Sequence, residues 1–213
     1  MQDRGFRDAT LTLEGVSHRY GRRVTFAGVG ATVRTGQSLV VTGPNGSGKS
    51  TLLRLVCGLL RPSSGTVRVA VGGVEVDGAA RRMALGYVAP DLTLYPELTG
   101  VENLSFFARL RGLAPTRADL AEILERVGLL GRGREIVRGY SSGMRQRLRY
   151  AFALMHRPPV LVLDEPTANL DQSGVAMVEE VVRCQRSEGL LIVATNEARE
   201  VGWGDVLVRL GRG

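Results

Sequence analysis

Ser38-Leu39-Val40-Val41-Thr42-Gly43-Pro44-Asn45-Gly46-Ser47-Gly48-Lys49-Ser50 runs from a short apolar strand through a glycine-rich stretch that regular structure cannot accommodate. A helix follows, with Leu52, Leu55, Val56 and Leu59 on one face and Pro62 as its expected stop. Gly43 to Ser50 satisfies G-x-x-x-x-G-K-[ST] in the strand-to-helix setting that this pattern requires. Loop glycines let backbone N–H groups converge on phosphate oxygens, and the helix start beyond them adds partial positive charge. The alternative, a glycine-rich turn with a surface lysine, is opposed by composition. Of 28 basic residues 27 are arginine, and the single lysine is Lys49. A compact ammonium enters a tight phosphate cradle where a planar guanidinium fork does not. The phosphate-binding set is Gly43, Asn45, Gly46, Ser47, Gly48, Lys49, Ser50 and Thr51, with Ser50 also placed to hold Mg²⁺.

Upstream, Leu11–Val16 alternates like a strand and Tyr20–Arg23 reads as a turn. Residues 65–88 read as further strands around a Gly72-Gly73 turn. The period then becomes helical. Thr99-Gly100-Val101-Glu102 is a capping box opening a helix to about Arg111, and Thr116–Asp119 opens another that ends near Gly128. A third begins near Ser141, with Leu148, Ala151, Phe152 and Met155 as its stripe. Val160–Leu163 and Leu190–Ala194 are apolar without alternation, as strands covered on both faces are, and a helix over about 173–187 separates them. Val206–Leu210 is the last strand, close to the end of the sequence, where no further regulatory domain is expected. The pattern predicts one α/β domain over 1–213. Its core, about 1–91 and 157–213, carries a mostly parallel sheet with an antiparallel β edge, and a helical lobe, about 92–156, is inserted into it.

Asp164-Glu165 closes one of the apolar strands at its carboxyl end, the edge at which open α/β sheets bind ligands. Asp164 is placed to hold Mg²⁺ through water, and Glu165 to polarise an attacking water. With the phosphate loop upstream, this pairing outweighs a plain acidic strand exit. Composition excludes other classes. Neither a membrane-spanning run nor an apolar leader occurs, and Cys57 and Cys184 lack metal-like spacing and form no disulfide framework. The net charge of +7 is scattered over an arginine-rich surface without a block of like charges.

Beyond the phosphate loop and the acidic pair stand Tyr140-Ser141-Ser142-Gly143-Met144-Arg145-Gln146-Arg147 and Ala168-Asn169-Leu170-Asp171. In this order, over about residues 10–211, the set resembles the ATP-binding subunits of ABC transporters. Ser141, Ser142 and Gly143 match the family's signature and Asp171 its D-loop. Independently of that likeness, the two serines open a helix whose N–H groups and hydroxyls form a second anion site.

The resemblance implies a P-loop NTPase core and MgATP hydrolysis. It implies a homo- or heterodimer in which one subunit's signature caps the γ-phosphate held by the other's Lys49, and an integral membrane permease as partner. The chain would then sit peripherally on the cytoplasmic face of the inner membrane, with no nucleic-acid partner. Tyr20 falls where the family stacks adenine. The short length and the Tyr-Ser-Ser-Gly-Met form look most like the heme-exporter ATPases of cytochrome c maturation and the related ABC-2 type exporters. Two positions depart from the family. Pro90 stands where a Gln enters the helical lobe, with Asp91 beside it as a further candidate for a metal or water contact. Asn196 stands where a His meets the γ-phosphate, so the resemblance implies slow turnover. These two departures motivate an alternative: a nucleotide-dependent clamp or regulatory ATP-binding partner without transport.

Overall fold

The computed structural model describes residues 8–211; Met1–Arg7, which hold nearly all of the charged start read above for a leader, and Arg212–Gly213 lie outside the described residues. In chain order the elements are β1 (Ala9–Tyr20), β2 (Arg23–Arg34), β3 (Ser38–Thr42), α1 (Lys49–Val56), β4 (Ser64–Val71), β5 (Val74–Val76), α2 (Gly78–Ala84), β6 (Leu85–Val88), α3 (Gly100–Leu110), α4 (Arg117–Arg126), α5 (Ser142–Leu154), β7 (Val160–Asp164), α6 (Gln172–Glu188), β8 (Leu190–Ala194), α7 (Ala198–Val201) and β9 (Val206–Arg209).

The described chain divides into two compact units. The first holds residues up to Tyr87, then Pro158–Pro166 and Arg183 onward. It contains an antiparallel sheet in the order β2-β1-β4-β5 and a five-stranded sheet in the order β6-β7-β8-β3-β9. β1 is longer than the expected 11–16 because its alternation survives a register shift. Leu11 and Leu13 are buried, then Val16 and His18, so the inward face moves from odd to even positions between Leu13 and Val16. An extra residue in one strand of an antiparallel pair does this.

In the five-stranded sheet β3 pairs in parallel with β8 and β9, and β7 pairs in parallel with β8. Every residue of β7 and β8 is buried, as their unbroken apolar sequences require. The carboxyl ends of β7, β8 and β3 are therefore neighbours along one edge. They deliver Asp164-Glu165, Thr195-Asn196 and the phosphate loop to the same place.

Two expectations for this unit are corrected. α1 ends at Val56, well before Pro62: the chain turns at Cys57–Gly58, where the Gly58 N–H bonds the Leu55 carbonyl, and Leu59 is left exposed. Within 65–88, Gly78–Ala84 forms the helix α2 where only strands were expected. Its alanines, arginines and methionine are good helix formers. It buries none of its residues but is tied to the sheet by Arg81, which donates to the carbonyls of Val76 (3.2 Å) and Val67 (3.0 Å).

The second unit holds Val88–Arg157 and also Thr167–Val182, a segment that the expected boundaries leave in the core. Its helices start where capping chemistry places them. Thr99 Oγ1 accepts from the Glu102 N–H (3.2 Å) while Glu102 accepts from the Thr99 N–H (2.8 Å). Thr116 and Asp119 repeat that reciprocal box at α4. Leu120, Leu124, Leu148, Ala151 and Tyr150 of this unit are buried. No helix among the described residues is long and apolar enough to cross a membrane.

Candidate functional site

The phosphate-loop residues leave β3 as a turn closed by the Ser47 N–H on the Pro44 carbonyl (3.0 Å), and α1 begins at Lys49. Gly48 has φ of +97°, and a Cβ there would lie 2.4 Å from Thr25 Cγ2 and 2.8 Å from Phe26 Cδ1. The loop thus runs directly over β2, which only glycine allows. Lys49 is only 6% exposed and its Nζ donates to the Gly43 carbonyl at 2.8 Å. Ser47 is buried, and its hydroxyl oxygen finds no hydrogen-bond partner among the described residues.

A cavity of about 670 Å³ opens over this loop, and Tyr20, Thr25, Asn45, Lys49, Ser50 and Glu165 are among its walls. Tyr20 is half exposed and its ring meets His18 edge-on, with centroids 4.6 Å apart. An aromatic face, a phosphate loop and a carboxylate around one space suit a nucleotide triphosphate. The buried ammonium, the hydroxyl of Ser50 and the N–H groups at the start of α1 fit its polyphosphate and a divalent cation.

Asp164 is 2% exposed, and the Tyr87 hydroxyl lies 3.5 Å from its Oδ2. Its charge is felt nearby. Burial first, and Asp164 second, push the Cys57 thiol up to about 12. Glu165 turns the other way. Its φ is +50°, unusual for a residue with a side chain, while its N–H stays in the sheet, donating to the Ala194 carbonyl at 2.9 Å. Such backbone costs about 1–3 kcal/mol and clusters at functional sites. The consequence is that consecutive carboxylates part: Asp164 stays buried and Glu165 reaches the cavity wall.

Asn196 lands beside the loop, its Nδ2 donating to Asn45 Oδ1 at 2.7 Å. The turn that carries it is braced, since the Glu197 N–H donates to Thr195 Oγ1 (2.9 Å) and the Thr195 hydroxyl donates to buried Glu200.

The remaining candidates belong to the second unit. Ser141 is the N-cap of α5, its Oγ accepting from the Met144 N–H (3.2 Å), and Ser142 and Gly143 form the first turn. A Cβ at Gly143 would lie 3.3 Å from the Asn169 carbonyl, so signature and D-loop touch within the unit. Asp171 accepts from the Gly174 N–H (2.8 Å) and from Arg147 Nη2 (2.9 Å). The backbone bond from Gly174, then Arg147 and Ser173, hold its carboxyl below the usual range. Asp91 lines a second cavity, of about 420 Å³, together with Arg138, Arg145 and Arg149.

Arg23, which also lines the cavity over the phosphate loop, Tyr87 and Arg147 carry no site signal of their own in the sequence. Arg23 could have been found from the turn at Tyr20–Arg23, because a two-residue hairpin places its flanking residues opposite each other, and the register pairs Tyr20 with Arg23. Nothing local marks the other two.

The chain belongs to the ABC transporter family, whose model matches residues 26–168. It is 40% identical over 195 residues to the daunorubicin resistance ATP-binding protein DrrA3 of Streptomyces coeruleorubidus, covering 91% of this chain and 62% of that protein. It is 38% identical over 188 residues to the cytochrome c biogenesis ATP-binding export protein CcmA of Brucella abortus, covering 87% of this chain and 85% of that one. The chain thus spans about three-fifths of the length of the drug-resistance relative and most of the cytochrome c relative. Among solved structures, the ATP-binding subunit of an ABC transporter superposes with a TM-score of 0.81 at 27% identity, over 94% of this chain and 85% of that one. The expected P-loop NTPase architecture and the expected likeness to heme-exporter and ABC-2 type ATPases are both met.

Proposed function

We propose that this chain is the MgATP-hydrolysing, energy-coupling subunit of an ABC exporter and acts as one ATPase domain. The observation that carries this reading is the single cavity shared by Tyr20, the phosphate loop and Glu165. Tyr20 stacks on adenine. Lys49 and the loop N–H groups neutralise the polyphosphate, with Thr51 at the start of α1. Ser50, and Asp164 through water, hold the Mg²⁺ of the substrate, which draws charge from the transferring group. Glu165 orients the attacking water and takes its proton as the water oxygen bonds the γ-phosphorus and ADP leaves.

The site is completed by a second subunit, identical or homologous. Ser141, Ser142 and Gly143 at the exposed start of α5 meet the terminal phosphate held by that partner, with the D-loop of Asp171 alongside. The names of the relatives, drug resistance and cytochrome c biogenesis export, support transport over a regulatory clamp. The chain then works peripherally, at the cytoplasmic face of the membrane, on an integral permease.

The test is direct titration with MgATP, followed by an ATPase assay. Lys49→Ala abolishes or strongly weakens binding, because no other lysine is present to replace it. Unchanged affinity in that variant overturns the reading. Fractionation with membranes only when the permease is co-expressed checks the transport role.

A further inference from the structure

Asn196 and Asn45 are 151 positions apart in sequence and 2.7 Å apart in the structure. The sheet order explains the meeting: β8 lies beside β3, so the turn after one strand abuts the loop after the other. A primary amide carries one accepting oxygen and one donating NH₂. In the structure the bond runs from Asn196 Nδ2 as donor to Asn45 Oδ1 as acceptor. With its oxygen engaged, Asn45 keeps its NH₂ for the cavity that it lines together with Lys49 and Ser50.

We propose that Asn196 is a positioning residue: it holds the Asn45 amide with NH₂ toward the terminal phosphate of bound ATP, so that Asn45, not residue 196, senses that phosphate. The inference rests on the ATP-binding reading above. It assigns Asn196 a different role from the direct phosphate contact that the family resemblance implies. An Asn45 side chain without this partner has two amide orientations, and one of them turns a carbonyl oxygen toward an anion. The braced turn at Thr195–Glu200 gives Asn196 the fixed place such a role needs. The sensed group is present in ATP and absent from ADP, so the device discriminates between the two.

The experiment is calorimetric titration with MgATP and with MgADP, all in a Glu165→Gln background so that ATP is not consumed. Asn196→Ala lowers ATP affinity by about three- to tenfold, the span of one net hydrogen bond, and leaves ADP affinity within about twofold. Asn45→Ala gives the same selective loss, and the Asn45→Ala/Asn196→Ala double variant loses no more than Asn45→Ala alone. Equal losses for ATP and ADP in Asn196→Ala overturn the proposal, because a loop that is merely loosened binds both nucleotides worse. Losses that add in the double variant also overturn it, because Asn196 then contacts the phosphate on its own. Lys49→Ala, run alongside, separates the two levels. If it binds like the parent, the phosphate-loop reading fails; if it weakens both nucleotides while Asn196→Ala shows no ATP-selective loss, only the amide proposal fails.

Discussion

Gly48→Ala probes how the phosphate loop is seated, and Gly46→Ala is its internal control. Both glycines have positive φ, +97° and +80°, so either alanine pays a backbone cost of about 1–2 kcal/mol. The surroundings differ. A Cβ at Gly46 meets nothing within 4 Å, whereas one at Gly48 falls 2.4 Å from Thr25 Cγ2 and 2.8 Å from Phe26 Cδ1. Phe26 is 4% exposed and packed in the core, so it has little room to move. Overpacking of this kind costs a further ~1–3 kcal/mol. Gly48→Ala therefore loses about 2–5 kcal/mol in total and Gly46→Ala about 1–2. For a chain of this size each kcal/mol lowers the melting temperature by about 2–4 °C. Thermal melts without nucleotide measure the difference, and MgATP titration shows whether a displaced loop still binds. The larger affinity loss belongs to Gly48→Ala, because moving Gly48 moves the adjoining Lys49. If Gly48→Ala melts no lower than Gly46→Ala, the loop is not pressed against β2 and this account of its conformation is wrong.

Glu165→Gln removes the proposed proton acceptor and keeps the phosphate contacts, so hydrolysis stops and an ATP-bound dimer accumulates; light scattering that finds only monomer at saturating MgATP counts against the paired site. Tyr20→Ala lowers MgATP affinity by about five- to 150-fold, the ~1–3 kcal/mol of one base–aromatic stack, while Tyr20→Trp largely retains it; equal affinities in parent and Tyr20→Ala place the base elsewhere. The Cys57 thiol, raised from 9.0 to about 12, keeps its proton in the folded state while the unfolded chain loses it. Its contribution is complete below pH 9 and declines up to about 12, at about 1.4 kcal/mol per pH unit. The melting temperatures of the parent and Cys57→Ala therefore converge as pH rises above 9, and a gap that stays constant refutes the shift.

The features legible in the sequence are those whose physics is local. The phosphate loop was readable because glycine spacing, a lone lysine and the strand-to-helix setting all lie within thirteen residues. The caps at Thr99 and Thr116 were readable because each box closes over three residues. β7 and β8 declared themselves by unbroken apolar runs. Where packing overrides a local signal, the sequence pattern no longer marks the element's true course. The shift in β1 between Leu13 and Val16 depends on its partner strands, and α1 stops at Val56 although its apolar spacing continues to Leu59. Only the tertiary structure decided which distant residues meet. Asn196 touches Asn45 because β8 lies next to β3, and Glu165 reaches the cavity because its backbone turns left-handed where β7 ends beside β8. Arg147 reaches Asp171 from another helix, across 24 positions. Side-chain periodicity tells a strand which of its faces is buried; it carries no information about which strand will be its neighbour, and that neighbour sets the chemistry at the strand's end.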